Sequence, residues 1–440
     1  MIRLMLGRAG SGRTTRMLRR LCGQGQKRPQ LLLVPEQQSH ETERMLCGIG
    51  GNGTSLFAEV LSFRRLGDRV LSQLGGAALP ELDGGGRVLL MHRAVKGVSS
   101  ALTVYARPSR KPAFLNALLA TADEVKSCRI RPEDLMRAGE ETGGEDGDKL
   151  RDLGLIFGAY DGLTAQIALD PRDRLDRVAE KLKGSGWAAG KDLWLDGFTD
   201  FTAQELEVLR QLMKQAHSVT ITLTCDKLED EEDGTGVFSP ARRTGQRLLR
   251  MAGDEGLPCE MEHILPGTGC RVAALEYLEE TLFAQGNPQL VPAEDAVELM
   301  AAQSLRGEVE WTAARIRALV ASGQYRFRDI GVVARDYGAY RTLVETVFPR
   351  YGVPVFSSAM SDILEKPVLS LVTAALDTVT GGYAYDDLFH YLKTGLTDLA
   401  TDDQDMLENY ALKWNLRGTQ WTGEKGWTMH PRGYGFALEE

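Results

Sequence analysis

Hydrophobic positions along the chain follow two different spacings. "IRLML", "LLLVPEQQ" (closed by Pro35) and "LFAEVLSF" are short apolar runs of the kind buried parallel strands carry. Between them apolar residues recur at helical spacing, as with Leu18 and Leu21 after Thr14. Strand and helix in alternation predict a parallel sheet covered by helices. From about 79 to 182 the helical period takes over in "GRVLLMHRAVKGV", "AFLNALLATADEVKSC", "KLRDLGLIFGAYDGLTAQI" and "RDRLDRVAEKL", with Asp170-Pro171 as a helix start. Strands resume at "DLWLDGF" and "SVTITLTC", so a helical block interrupts an α/β domain.

A second α/β region follows the loops around 258 to 292. "VELMAAQS" and "DIGVVAR" read as strands flanking the helix "EVEWTAARIRALVAS". The helix "YRTLVETVFPRYG" then leads to a strand, "VPVF", and from about 366 the pattern is helical again.

Composition narrows the class. A chain of 440 residues exceeds one ordinary core, so two or three domains are expected. Its 43% hydrophobic and 26% charged residues are those of a soluble globular protein. No apolar run reaches membrane-spanning length and the N-terminus lacks an export signal, which makes the cytoplasm the default and a membrane role unexpected. Cys22, Cys47, Cys128, Cys225, Cys259 and Cys270 lack the close pairing of zinc or iron-sulfur sites and read as reduced, mostly buried thiols. The net charge of -9 still leaves basic stretches, "RTTRMLRRL" and "VYARPSRKP", that could form a groove or simply face solvent. "GEETGGEDGDKL" and "DKLEDEEDGTG" read as acidic surface loops.

Chemistry enters at Gly7-Arg8-Ala9-Gly10-Ser11-Gly12-Arg13-Thr14, which has the phosphate-loop spacing G-x-x-x-x-G-K-[ST] with Arg13 in the lysine position. The preceding strand and following helix are the setting that spacing requires. Gly7, Gly10 and Gly12 let backbone N-H groups curl round phosphate, Ser11 sits in the curl, and Thr14 can hold magnesium. Asp196, ending "LWLD", is placed to assist at the metal. Gly197 follows, where a helicase-type ATPase carries a glutamate; a general base is worth about two to four orders of magnitude in rate. ATP with magnesium is thus the expected ligand, and hydrolysis is expected to be poor or absent. Arg13 keeps the positive charge of lysine without its compact shape. Arg335, at the end of "IGVVAR", is either a cleft arginine directed at the γ-phosphate or an ordinary surface residue. Taken alone, the loop and Asp196 also fit a P-loop kinase or nucleotide-dependent transferase acting on a small molecule.

In chain order, "GRAGSGRTT", "LLLVPEQQSHETE", "AEVLSFRRLGDRVL", "LWLDGFTDFTAQE", "FRDIGVVARDYGAYRTLVETVFPRYGVPVF", "LFHYLKTGL" and "LENYALKWNLRGTQW" resemble the AddB subunits of bacterial AddAB, RecBCD-like helicase-nucleases that process double-strand breaks for recombination. The resemblance implies an α/β fold of two RecA-like P-loop domains, superfamily-1 helicase-like but degenerate, with helical insertions. The first RecA-like domain would take 1–78 and 187–285 around a 1B-like insertion at 79–186. The second would begin at 286–375, with the start of a 2B-like insertion at 376–440. A nuclease domain and its iron-sulfur cluster are expected only in a C-terminal region absent from this sequence. The resemblance further implies an AddA-type partner that supplies the motor, single- and double-stranded DNA as ligands, and a non-motor role in guiding the 3′-ended strand and scanning it for a Chi-type sequence. Positions matching the scanning surface are Glu36, Gln37, Ser39, Phe63, Arg65 and Asp68. Gln37 and Arg65 suit base edges and Phe63 a stacked base. Phe63 as core and Gln37 as a loop cap is the structural alternative. Arg13 replaces the lysine usual in the family.

Overall fold

The computed structural model describes residues 1–25, 27–76, 80–106, 112–229, 236–265, 272–283, 289–290, 296–357, 363–424 and 426–435. It forms two compact units, Met1–Glu298 and Leu299–Glu440.

The first unit is built on six strands: β1 (Ile2–Leu6), β2 (Gln30–Leu33), β3 (Ala58–Leu61), β4 (Asp192–Leu195), β5 (Ser218–Leu223) and β6 (Cys259–His263). They lie in the order β3-β2-β4-β5-β1-β6, and every neighbouring pair is parallel. Alternate side chains leave the sheet on opposite faces, and both faces are covered. Leu4, Leu6, Leu33, Leu195 and Ile221 enter one core, and Met5, Leu32, Val60 and Trp194 enter the other. The apolar runs of β1 to β5 are legible for this reason. β6 is not, because "CEMEH" is an exposed edge strand anchored by charge: Arg3 pairs with Glu260 at 3.0 Å and Arg20 with Glu262 at 2.7 Å.

Around the sheet stand α1 (Arg13–Gln24), α2 (Ser39–Gly50) and α3 (Phe63–Leu74), then, beyond the insertion, α8 (Arg174–Leu182), α9 (Ala203–Gln215), α10 (Ser239–Asp254) and α11 (Ala273–Thr281). Thr202 caps α9 reciprocally with Glu205, which leaves Asp196 free of that duty. The inserted block comprises α4 (Gly84–Val98), α5 (Pro112–Ser127), α6 (Pro132–Thr142) and α7 (Gly144–Ile167) around Leu90, Met91, Leu118, Ile156, Phe157 and Tyr160. The acidic run at 139–150 is helical rather than a loop. It ends α6 and opens α7, where Glu145 and Asp146 favour the helix N-terminus. Gly139 and Gly147 let the two helices meet: a Cβ on Gly139 would lie 2.6 Å from the Gly147 carbonyl. Parts of "VYARPSRKP" and "DKLEDEEDGTG", and Cys270, lie outside the described residues. The thiols are less buried than expected: Cys128 and Cys259 are exposed, and among the described cysteines only Cys225 is fully covered.

A charge cluster joins this block to the segment leading back to the sheet. Asp170, its side chain fully buried, accepts from Tyr160 Oη at 3.0 Å and the Arg172 amide at 2.9 Å. Lys126 Nζ lies 3.2 Å from it and 2.8 Å from Asp173, and Arg87 reaches both Asp170 and Asp123. Burial alone would lower the Lys126 pKa and raise that of Asp170. The surrounding opposite charges outweigh it, holding the amine above and the carboxyl below their ordinary values.

The second unit contains helices and no strand among its described residues. α12 (Leu305–Ala321) and α13 (Tyr337–Arg350) pack through Val309, Ala313, Ile316, Val344, Val347 and Phe348. α14 (Pro367–Thr380), α15 (Tyr385–Leu392) and α16 (Thr401–Trp414) follow, with Phe389, Ala411 and Leu416 as a small core. The strands expected in "VELMAAQS", "DIGVVAR" and "VPVF" do not form. A strand requires a laterally bonded neighbour, and none pairs with these runs among the described residues; Leu299, Val333 and Phe356 are instead more than nine-tenths exposed.

Lys126→Met is expected to lower the unfolding free energy in urea by about 3 to 5 kcal/mol, since it strips a buried carboxylate of a partner. Asp170 stabilises the fold above the unfolded carboxyl pKa of about 3.9, and that contribution is lost as pH falls through its lower folded value. Without Lys126 the folded value rises, so acid unfolding should begin at higher pH. A loss below about 1 kcal/mol would show the cluster to be a solvated surface feature.

Candidate nucleotide and nucleic-acid site

Loops after β1, β2, β3 and β4 all emerge at the carboxyl edge of the sheet, where parallel α/β sheets place their ligands. Gly10 and Gly12 have φ values of 70° and 78°, left-handed geometry that turns the chain from β1 into α1. Gly7 is held close: a Cβ there would lie 2.5 Å from Ser11 Oγ and 3.0 Å from the Ile264 carbonyl. The Ser11 hydroxyl is buried without a hydrogen-bond partner, an orphan that a phosphate oxygen would satisfy. A cavity of about 180 Å³ opens here, lined by Arg8 and by the run from Gly10 to Thr15.

Thr14 Oγ1 donates to Asp196 Oδ2 at 2.9 Å, and the Thr222 hydroxyl donates to the other carboxylate oxygen. Hydroxyl and carboxylate oxygens in contact form a donor set suited to magnesium. Thr222 and Thr224 belong to this site although no sequence motif marks them. Their one signal is polar alternation at the end of the apolar run "TITLTC".

Arg13 is turned into the protein. Its Nη1 donates to the Gly7 carbonyl at 2.5 Å and the Leu223 carbonyl at 3.3 Å, and Nη2 donates to Thr224 Oγ1 at 2.8 Å. Burial lowers its pKa, opposed by the charge of Asp196. The loop is crossed from outside by Arg8, which binds the Glu279 carboxylate at 2.9 Å and the Glu279 carbonyl at 2.6 Å. Gly197 is fixed by its backbone: φ is 81°, and a Cβ would overlap Gln38 Oε1 and lie 3.2 Å from Pro35 Cδ. A side chain at this position would therefore carry backbone strain and displace the Gln38 amide.

After β2, Pro35 opens a single 3-10 turn, Glu36–Gln38, that leads into α2. Glu36 and Gln37 are not buried, whereas the Ser39 hydroxyl is buried without a partner. After β3, Ser62 caps α3 by accepting from the Arg65 amide at 3.3 Å. Arg65 is accessible and pairs with Glu43 at 3.3 Å; Asp68 pairs with Arg174 of α8 at 2.7 Å. Phe63 departs from the stacking role. It is 6% exposed and packs edge-on to Phe198 and Phe201, with centroids 5.6 and 6.1 Å away, so it belongs to the core rather than to a stacking surface. As the first residue of α3 it points at the sheet, a direction that the string "LSFRRLGD" does not reveal. Arg335 stands just ahead of α13 in the second unit.

Fold and loop geometry together define a parallel α/β protein with a phosphate-loop-like turn at its carboxyl edge. The chain belongs to the AddB N-terminal family, whose profile, "ADDB, N-terminal", matches residues 4–279. It is 38% identical to the B-type subunit of the ATP-dependent helicase/deoxyribonuclease of Pelotomaculum thermopropionicum, over 97% of this chain and 38% of that protein. The proteins of the same description from Thermoanaerobacter sp. and Acetivibrio thermocellus are 33% and 32% identical, each over 98% of this chain and 38% of the relative. The chain thus spans about 38% of the length of these relatives. No helix among the described residues is long and apolar enough to cross a membrane.

Phe63→Ala should cost about 3 to 5 kcal/mol of stability, the usual loss for emptying a packed aromatic site. Urea unfolding reads the loss, and DNA affinity of the folded fraction should be unchanged. A stable variant with weakened DNA binding would return Phe63 to the surface role.

Proposed function

We propose that this chain is the helicase-like portion of a non-motor subunit in a DNA double-strand-break-processing helicase-nuclease. It guides the 3′-ended strand and scans it for a Chi-type sequence. Family membership over residues 4–279 carries this reading. The proposed architecture has RecA-like domains at 1–78 with 187–285 and from 286 to 375, and insertions at 79–186 and 376–440. An AddA-type subunit supplies the motor in a heterodimer, in the cytoplasm, and any iron-sulfur cluster belongs to the nuclease part of the whole protein.

On this reading Gln37 and Arg65 contact the strand, because both are accessible at one sheet edge, Gln37 in the turn after β2 and Arg65 in the first turn of α3 after β3. Glu36 and Asp68 add negative charge there and act in selectivity rather than affinity. Ser39, with its buried hydroxyl lacking a partner, shapes the turn that presents Gln37.

ATP with magnesium fits the loop, Ser11, Thr14 and Asp196, and would supply nucleotide-dependent ordering of the loop. Arg335 is retained as the arginine directed at the γ-phosphate. Affinity is weak because Arg13 is already hydrogen-bonded to two strand-end carbonyls and must leave them to meet phosphate. Hydrolysis is absent because Gly197 cannot be exchanged for a base without strain.

Arg13→Lys is expected to tighten ATP binding at least about tenfold, roughly 1.4 kcal/mol, in equilibrium dialysis, with no turnover. Turnover at the rate of an active helicase would overturn the non-motor assignment. In a salt titration of single-stranded DNA binding, Arg65→Ala should lower the logarithmic slope by about 0.7 if Arg65 holds phosphate. It should instead relax sequence preference if Arg65 reads a base. An unchanged slope with unchanged preference would remove Arg65 from the interface.

A further inference from the structure

The amino edge of the same sheet carries a second cleft, of about 690 Å³, formed by the starts of β2 and β3 and the segment before β4. Its size falls in the roughly 300–1,000 Å³ range of small-ligand sites. Lys27, Arg28, Arg69 and Lys191 line it against one carboxylate, Glu59, which lies 3.6 Å from Arg69. Among the described residues no carboxylate forms an ion pair with Lys27, Arg28 or Lys191. The C-termini of α1 and α3 also end here, each worth about half a negative charge. They offset about one of the three surplus cations, so roughly two positive charges remain uncompensated in a chain whose net charge is -9.

Apolar surfaces beside these cations are held in place. Trp187 Nε1 donates to Gln73 at 2.6 Å, and Lys191 Nζ sits 3.6 Å from the centre of the indole ring. Phe57 lies against Gly25, where any Cβ would overlap its ring. Lys191 Nζ also donates to the Trp187 carbonyl at 2.6 Å, and burial, then the charge of Arg69, lowers its pKa against the opposing charge of Glu59.

We propose that this cleft binds a nucleotide unit, with phosphate on Lys27, Arg28 and Lys191 and the base against the Trp187 and Phe57 side. The site is separate from the carboxyl-edge loops and does not depend on their role. The unit comes either from a single strand or from a free nucleotide, since both present the same phosphate and base.

Two probes test the proposal on the full chain: a fluorescein-labelled ten-residue oligothymidylate carrying 5-iodouracil, and AMP as competitor. Photocrosslinks on the wild-type protein should fall within 27–31, 55–59 or 187–191. Arg28→Ala with Lys191→Ala should weaken oligonucleotide binding at least fivefold and lower the salt slope by about 1.4, as two lost phosphate contacts require. The exposed single variant Lys27→Ala should weaken it in the same direction, which guards against misfolding of the double variant. Displacement of the oligonucleotide by AMP identifies the free nucleotide as sufficient; crosslinking without displacement identifies the strand. Crosslinks confined to 36–39 and 62–68, or equal binding by wild type and both variants, would overturn the proposal while leaving the carboxyl-edge reading intact.

Discussion

A single guanidinium joins the two strands at the centre of the site. Arg13 bridges the carbonyl ends of β1 and β5 through Gly7 and Leu223 and adds the hydroxyl of Thr224. The Leu223 carbonyl also accepts from the Gly7 amide at 3.3 Å, so the guanidinium reinforces a backbone contact there and supplies a donor to the Gly7 carbonyl, where a buried carbonyl left unpaired costs about 1 to 3 kcal/mol. Arginine suits the task better than lysine because its planar fork holds two donors at fixed separation. The same geometry commits the Arg13 charge to strand-end carbonyls and a threonine hydroxyl. Arg8, held by Glu279, fixes the outer side of the turn in a comparable way.

How much of this could be read from residues alone follows from how much of each signal is local. Strands β1 to β4 carry apolar residues on both faces and β5 alternates Val219, Ile221 and Leu223 with threonines, so all five announce themselves, and Asp196 stands at the end of its run as expected. β6 alternates Cys259 and Met261 with Glu260 and Glu262 but is too short and too exposed to stand out, because an edge strand is specified by its partner's backbone and by ion pairs with Arg3 and Arg20. Gly197 is legible as a missing carboxylate, but not as a position whose φ of 81° strains any side chain. Phe63 is ambiguous for a different reason: a residue opening a helix at the sheet edge can face either solvent or core, and only Phe198 and Phe201 decide the matter. The apolar runs at 297–304, 329–335 and 353–356 have the composition of strands, yet strand formation is a property of pairs.

The helical insertion shows a division of labour between burial and charge. Its own core rests on Leu90, Ile156 and Phe157, while its attachment to the segment entering α8 runs through Asp170, Lys126, Arg87 and Tyr160. Apolar packing is tolerant of small shifts, whereas a buried carboxylate with four partners admits few arrangements. Asp68 on α3 and Glu81, both bound by Arg174, extend the same device to the sheet side.

The contact between Thr14, Asp196 and Thr222 gives these residues a structural role that is independent of any ligand. Each hydroxyl donated to the carboxylate is worth about 1.5 to 3 kcal/mol, and together they tie the first turn of α1 to β4 and β5. That is a large part of the roughly 5 to 15 kcal/mol by which a domain of this kind is stable. Loss of the base costs about two to four orders of magnitude in rate and nothing in folding. Loss of Asp196 would cost stability whether or not nucleotide ever binds. The sheet edge thus depends mechanically on Thr14 and Asp196, whereas the Ser11 hydroxyl in the same loop is buried without a hydrogen-bond partner.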